Sequence, residues 1–219
     1  MCGRYSIGEG IRQISEELGV TPPANFTPRY NAAPSQALPV VSNAQRQQVA
    51  LYNWGVIPFW AKEKEQRLIN ARAETVAEKS TFKKSFQQRR CLVLADGYYE
   101  WKKTPQGKLP HRLVLTDEQP FVFAGIWDER TDQETGEVHH DFCIITTAAS
   151  PSIAAIHDRM PVILPKEAWD FWLKDTEDYP GLVDVLRPLD DDKIKAYEVS
   201  KRVNNVQNDA EDLTRLNSK

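Results

Sequence analysis

The sequence predicts an α+β fold: a single domain built on a curved antiparallel β-sheet or barrel with a few flanking helices. Two patterns support this prediction. Short apolar runs bounded by turn residues dominate from residue 91 onward, and only a few segments space their apolar residues as a helix does. The 219 residues contain no repeat and no low-complexity linker. We therefore expect one domain over residues 1–209 and a frayed helix or tail over residues 210–219.

The clearest helical pattern lies near the N-terminus. Apolar residues recur at helical spacing from Ile7 to Leu18, and Gly19 follows as a stop signal, which predicts a helix over residues 8–18. Proline is well tolerated in the first turn of a helix, so Pro165 favours another helix start. The further helical segments are expected at 78–88, at 150–156 and from Pro165 onward.

The strands are predicted from short runs rich in β-branched and aromatic residues, with Gly, Pro and Asp-Gly signals between them. They are expected at 38–42, 48–57, 91–95, 98–101, 111–115, 121–127, 141–147, 162–164 and 194–200. The proline-rich stretch 21–39 indicates a rigid extended loop, and the charged stretch 61–67 a solvated one.

Composition limits the partners and the compartment. The net charge of −3 gives no overall basic field, so any nucleic-acid site has to be a local groove. Three cysteines without a CxxC pair argue for a reducing cytoplasm and against disulfides or a zinc site. No apolar run reaches the ~18 residues of a membrane span, and no signal peptide is evident. We expect a cytoplasmic monomer without metal or cofactor.

The functional interpretation of the sequence depends mainly on Cys2. Its small side chain favours removal of Met1, which would leave a free α-amine and a thiol on adjacent carbons. These groups titrate near pH ~7.7–8 and ~8.5, so both have a usable deprotonated fraction at neutral pH. The amine can condense with an aldehyde to an imine, and the thiol can then close a five-membered thiazolidine. The alternative is a chance cysteine on a frayed terminus.

Three further residues are candidates for catalysis, each with a structural alternative. Glu100, between two aromatic residues at the end of an apolar run, would shuttle protons if buried or simply face solvent if not. His157, at a loop junction, suits a general acid or a hydrogen bond to the backbone. Asn70 follows two apolar residues and suits either the orientation of an oxygen or a turn.

Arginine and aromatic side chains suggest contacts to nucleic acid. Arg4, Arg72 and Arg159 lie near the candidate catalytic segments, and guanidinium groups suit phosphate oxygens. Phe59 and Trp60 follow a proline and could stack on bases. Taken singly, the arginines are also compatible with surface ion pairs and the aromatic residues with the rim of the core.

Several segments, in this order, resemble the SRAP (SOS response-associated peptidase) family over nearly the whole chain. They are MCGRY (1–5), RYNAAP (29–34), WGVIP (54–58), INARAET (69–75), RCLVLADGYYEW (90–101), IHDRMP (156–161) and VS with VNN (199–205). The resemblance implies a protein that binds single-stranded DNA carrying an abasic site. It also implies that the ring-opened sugar aldehyde is trapped as a thiazolidine on the N-terminal cysteine.

The resemblance implies a catalytic role for each of four residues. Cys2 would be the nucleophile, and Glu100 would shuttle protons during imine formation and release. His157 would assist opening of the sugar ring, and Asn70 would hold the N-terminal residue and the sugar in place. Weak abasic-site lyase activity, removal of Met1 by the protein itself and association with the nucleoid when bound to DNA are further implications.

The resemblance also implies the DNA contacts: Arg4, Asn31, Phe59, Trp60, Arg72 and Arg159. The arginines would bind phosphates around the lesion, and Trp60 with Phe59 would stack beside a base. Two departures concern the path of the DNA. Phe59 stands where relatives often carry a second tryptophan, and Ser80 and Thr81 stand where some carry an arginine.

Two other functions compete with this interpretation. Glutamine amidotransferases of the N-terminal-nucleophile type also begin Met-Cys-Gly, and their cysteine attacks an amide. Here Arg4 replaces the apolar residue expected next, and the chain shows no second domain to receive ammonia. A reversible reader of modified or single-stranded DNA, without chemistry, is the third possibility.

Overall fold

The computed structural model describes residues 2–24, 26–58, 60–61, 66–132 and 135–217. The strands are β1 (Tyr5–Ile7), β2 (Arg29–Ala32), β3 (Ala37–Ser42), β4 (Gln45–Trp54), β5 (Asn70–Arg72), β6 (Arg90–Ala95), β7 (Gly97–Thr104), β8 (Gly107–Leu115), β9 (Phe121–Thr131), β10 (Val138–Ala148), β11 (Arg159–Pro161), β12 (Ile163–Leu164) and β13 (Ile194–Glu198). The α-helices are α1 (Gly10–Leu18), α2 (Ser80–Gln88), α3 (Pro151–Ala154), α4 (Lys166–Leu173) and α5 (Tyr179–Asp184). Short 3₁₀ helices lie at Asp191–Lys193, Lys201–Asn204 and Glu211–Thr214. None of the helices in these described ranges is both long and apolar enough to cross a membrane.

Five strands close into a barrel. β4 pairs with β3, β3 with β6 and β6 with β9, and the β9–β10 pair returns to β4. The closing β4–β10 pair is parallel, with Phe142 opposite Trp54, while the other four pairs in the ring are antiparallel. Every residue of β6 is buried, since this strand lies inside the barrel wall and under the helices. The predicted α+β class with a β-barrel is confirmed.

A second, antiparallel sheet holds the start of the chain. Its strand order is β13-β8-β7-β1-β2, so β1 lies between two partners. Tyr5 is opposite Tyr98 on β7, and both rings pack edge-on against Phe123 of the barrel at 5.7 and 6.1 Å between ring centres. These aromatic contacts join the sheet to the barrel.

Arg90 fastens two helices to the barrel. Its side chain is fully buried at the start of β6. The guanidinium donates to the carbonyl oxygens of Phe86 and Gln87 at the end of α2, at 2.9 and 2.5 Å. It also donates to those of Trp172 and Lys174 at the end of α4, at 2.8 and 2.6 Å. Carbonyls at a helix C-terminus lack intrahelical partners and favour a cation, so one side chain completes both helix ends.

Each predicted helix and strand has a counterpart in the structure, with bounds shifted by a few residues. The elements that the sequence did not indicate are short: β1, β2, β5, β11 and α5. β2 lies inside the stretch 21–39 that was expected to be an extended loop, because its backbone finds a partner in β1. Most of the predicted loop 61–67 falls outside the described residues.

The C-terminal segment corrects the expectation of a frayed tail. Over residues 210–217 it packs on the domain, with Leu213 fully buried. The backbone N–H of Asn217 donates to the carbonyl of Glu198 at 2.9 Å, and Val199 bridges to Leu216. Leu213 and Leu216 are the only large apolar residues in this polar stretch, which is too few to set a periodic pattern, so the sequence did not reveal this anchor.

We expect Arg90→Met to destabilise the fold by about 3–5 kcal/mol, because it leaves four carbonyl oxygens at two helix ends, two of them in buried bonds, without their charged donor. Urea unfolding followed by circular dichroism measures this loss. Arg90→Lys is the matched control and should recover only part of it, since one ammonium cannot reach both helix ends. A loss below about 1 kcal/mol for Arg90→Met would show that the helix ends do not depend on this group.

Candidate active site and nucleic-acid interface

Cys2 lies directly ahead of β1 and is fully buried. Tyr99 N donates to Arg4 O at 2.9 Å, so the β1–β7 alignment continues toward the N-terminus, and the charge of Glu100 on β7 reaches the Cys2 thiol. The sulfur lies 3.9 Å from the Arg4 carbonyl oxygen. Burial and then the charge of Glu100 raise the pKa of the Cys2 thiol far above its usual range. The thiol is therefore neutral at pH 7, and the alternative of a cysteine on a frayed terminus does not fit.

Asn70 holds the main chain of Cys2. It is the first residue of β5, which runs parallel to β10. Its Nδ2 donates to the Cys2 carbonyl oxygen at 2.8 Å. Its Oδ1 is buried and accepts no hydrogen bond from the described residues. The amide thus fixes the nucleophile and leaves one acceptor in the site.

Glu100 lies on β7 with only 3% of its surface exposed, so it does not face solvent. Burial raises the pKa of its carboxyl group, and the nearby His157 lowers it in part. A carboxyl group whose pKa is raised toward neutrality suits proton transfer in both directions.

His157 lies between α3 and β11 with 28% of its side chain exposed. Its Nδ1 accepts from the Arg159 backbone N–H at 3.0 Å and also lies 2.9 Å from the Asp158 carboxylate. The first contact needs a lone pair on Nδ1 and the second a proton there, so the two contacts belong to different tautomers of the ring.

Arg4 and Asn31 form an internal pair. Arg4 Nη1 donates to Asn31 Oδ1 at 2.8 Å and to the Val203 carbonyl at 2.9 Å, and its guanidinium lies 5.9 Å from the Trp101 ring centre. Asn31 is 1% exposed, and its Nδ2 donates to carbonyls of the segment 203–208. This burial is at odds with a direct contact between the Asn31 side chain and DNA, and makes Asn31 a support for Arg4.

The other two arginines lie on neighbouring strands. Arg72 ends β5 and is exposed. Arg159 begins β11 and is mostly buried, with both Nη atoms bonded to the carboxylate of Glu74. Glu74 escaped the sequence reasoning, although its position two residues after Arg72 could have signalled it.

Trp60 is a large exposed aromatic residue, with 52% of its surface accessible. Its Nε1 donates to Thr81 Oγ1 at 3.2 Å, in the first turn of α2. The hydroxyl of Thr81 thus orients the indole. Thr81 stands at a position where some members of the family that the sequence resembles carry an arginine. Phe59, predicted to act with Trp60, lies outside the described residues.

The structure therefore assembles Cys2, Asn70, Glu100 and His157 from four separate parts of the chain. A buried cysteine directly after Met1 thus lies near a buried carboxyl group and a histidine, where the N-terminal sheet meets the barrel. The chain belongs to the SOS response associated peptidase (SRAP) family, which it matches over residues 1–206.

Three relatives of the chain are named abasic site processing proteins. The abasic site processing protein YoqW of Bacillus subtilis is 38% identical, covering 97% of this chain and 98% of the relative. The abasic site processing protein YedK of Escherichia coli is 30% identical, covering 97% and 98%. The abasic site processing protein HMCES of Gallus gallus is 31% identical over 94% of this chain and 70% of its own length.

The fold has close counterparts among solved structures. A crystal structure of a protein from Bacteroides thetaiotaomicron superposes with a TM-score of 0.88 at 28% identity, covering 98% of this chain and 99% of that one. A phage-related protein from Bordetella bronchiseptica superposes with a TM-score of 0.73 at 27% identity, covering 91% and 95%. The first of these structures therefore shares nearly the whole fold.

We expect Glu100→Gln to stabilise the protein at pH 8 and to lose that advantage near pH 4. The pKa of Glu100 is raised in the folded state, so the stability linked to its proton is present at low pH and is lost as pH rises through that pKa. Thermal melts at the two pH values measure the difference, with the exposed Glu78→Gln as control. A Glu100→Gln advantage that is the same at both pH values would contradict the prediction.

Proposed function

We propose that this protein captures abasic sites in single-stranded DNA by forming a thiazolidine between Cys2 and the ring-opened sugar. The observation that supports this proposal most directly is the placement of Cys2. Asn70 donates a hydrogen bond to the Cys2 carbonyl oxygen, and the charge of the buried Glu100 acts on the Cys2 thiol. The names of the relatives as abasic site processing proteins support the substrate.

The amine of Cys2 acts first. It becomes available when Met1 is removed, and it attacks the C1′ aldehyde of the open sugar. Glu100 takes the proton that the amine gives up and returns it to the departing hydroxyl, so that one water leaves and an imine forms. Asn70 keeps the Cys2 main chain in place, and its unbonded Oδ1 accepts from a sugar hydroxyl.

The thiol acts second. Because it is neutral in the site, it does not compete with the amine for the aldehyde. In the imine the S–H group adds across the C=N bond: sulfur bonds to C1′, and the thiol proton reaches the nitrogen by way of Glu100. No atom is lost in this step. His157 donates a proton to the ring oxygen when the sugar opens and takes that proton back when the ring closes again, and the same imine permits slow β-elimination.

The strand is held by phosphate and base contacts around this centre. Arg72 is the exposed cation on the strand that carries Asn70. Arg159 lies on the other side of β10, and Arg4 lies behind the N-terminal residue. Trp60 offers an exposed ring face for stacking on a base.

We expect wild-type protein to form an adduct with a single-stranded oligonucleotide bearing one abasic site, stable to denaturation without borohydride. Intact-mass spectrometry should show protein without Met1 plus oligonucleotide minus one water. Cys2→Ser and Cys2→Ala keep an amine and should give an adduct only when borohydride reduces the imine.

The controls separate the two nucleophiles. An oligonucleotide with a tetrahydrofuran abasic analogue has no aldehyde and should give no adduct. A variant with Gly inserted between Met1 and Cys2 keeps the thiol but lacks the adjacent amine, and it should also fail. A denaturation-stable, unreduced adduct of Cys2→Ala would rule out the thiazolidine. Absence of any adduct, with turnover of glutamine or a peptide, would favour a cysteine hydrolase.

We expect Trp60→Ala to weaken non-covalent binding of single-stranded DNA about 5- to 150-fold, the effect of losing ~1–3 kcal/mol of stacking. Fluorescence anisotropy with an undamaged oligonucleotide measures this loss. Trp60→Phe keeps a ring face but not the bond to Thr81 and should lose less, while Leu51→Ala alters another exposed apolar residue and should change nothing. Equal affinities for all variants would remove Trp60 from the interface.

A further inference from the structure

Glu74 forms a bidentate ion pair with Arg159, one of the proposed phosphate-binding arginines. Its two carboxylate oxygens accept from Arg159 Nη1 and Nη2 at 2.6 and 2.9 Å. The Arg159 side chain is 14% exposed and that of Glu74 is 49% exposed. This bidentate geometry is the strongest form of the arginine–carboxylate pair, and it occupies the end of the guanidinium that a phosphate would otherwise take.

One of the two Nη atoms of Arg159 has a further partner. Nη2 donates to the Thr146 carbonyl oxygen at 2.7 Å, and the same oxygen accepts from Ala73 N at 2.8 Å. The pair therefore spans the end of β10, from the strand that carries Asn70 to the strand that follows His157. A phosphate that reaches Arg159 has to share it with Glu74 or displace it.

Glu74 also acts on the second arginine. The hydrogen bond from Arg159 is the largest cause that lowers the pKa of Glu74, and the charges of Arg159 and Arg72 lower it further. Both arginines are thus within electrostatic reach of one carboxylate. The local charge at this surface is +1 where the two arginines alone would give +2.

We propose that Glu74 is a specificity-determining residue that weakens the hold of Arg72 and Arg159 on the phosphate backbone of undamaged DNA. This inference rests on the proposed function, because it assigns Glu74 to the same DNA surface. With Glu74 in place, phosphate contacts alone give only weak binding, and lasting capture of a strand depends on the covalent step at Cys2. A carboxylate beside the backbone path discriminates by repulsion as well as by occupying Arg159.

The test uses the full-length protein and an undamaged single-stranded oligonucleotide. We expect Glu74→Gln to raise the affinity about fivefold or more at low salt, because the repulsion disappears and Arg159 becomes available. The plot of log affinity against log salt should become steeper by about 0.7, which corresponds to one more neutralised phosphate on a single strand. Fluorescence anisotropy over a salt series gives both quantities.

Two controls separate local pairing from overall charge. Glu78→Gln removes the same charge at an exposed position four residues along the chain and should leave affinity and salt slope nearly unchanged. Arg159→Gln added to Glu74→Gln should remove the gain in affinity, because the freed guanidinium is what binds the additional phosphate. Thermal melts confirm that each variant is folded. If Glu74→Gln does not fold, Glu74→Asp, which keeps the charge on a shorter side chain, takes its place in the salt series.

The outcomes distinguish this inference from the proposed function. Unchanged or weaker binding by a folded Glu74→Gln protein, with no change in salt slope, would overturn the role of Glu74 and leave a purely structural clamp. The mass of the adduct with an abasic oligonucleotide is measured on the same samples. Failure of the wild-type protein to form that adduct would reject the proposed function, whatever the salt series shows.

Discussion

The pairing of β1 with β7 is the constraint on which the site depends. Chain termini usually fray, yet here the first strand lies between two partners and its aromatic residue packs on the barrel. The sheet therefore fixes the residues ahead of β1 as firmly as an interior strand. A nucleophile at a chain end gains a defined position in this way, and reaction geometry tolerates little displacement. The bond from Asn70 to the Cys2 carbonyl completes the restraint from the barrel side.

Burial at this position has opposite effects on stability and on chemistry. Glu100 and Cys2 are almost inaccessible, so the charged form of each is disfavoured. A buried carboxyl group without this function would be replaced at a gain in stability. Arg90 stabilises another part of the fold, because its side chain donates to the carbonyl oxygens at two helix ends. This stabilisation offsets part of the cost of the buried carboxyl group. The N-terminal sheet thus tolerates an unfavourable buried carboxyl group near Cys2, and its aromatic contacts join it to the barrel.

Local sequence patterns were sufficient for the class of fold and for most of its longer elements. Period-two and period-3.6 patterns located β3, β4, the strands from β6 to β10 and the helix α1. They could not locate β1, β2, β5 and β11, because strands of three or four residues carry no period and exist through their partners. The chemical types of Cys2, Glu100 and His157 were readable from the sequence. Only the family resemblance placed them in one site, because local patterns do not show which segments meet in space. Asn31 was predicted to contact DNA, yet tertiary packing buries its side chain.

Selectivity among the cysteines follows from the amine and not from thiol acidity. Cys2, Cys91 and Cys143 are all fully buried, and burial raises the pKa of each thiol above its usual range. No thiol of the three is therefore activated as a thiolate in the free protein. Under the proposed function, removal of Met1 gives Cys2 alone an amine on the neighbouring carbon, and an imine formed there would bring an electrophilic carbon within reach of a neutral thiol. The pair of groups would then select an aldehyde, while reagents that need a thiolate would find none among the three cysteines.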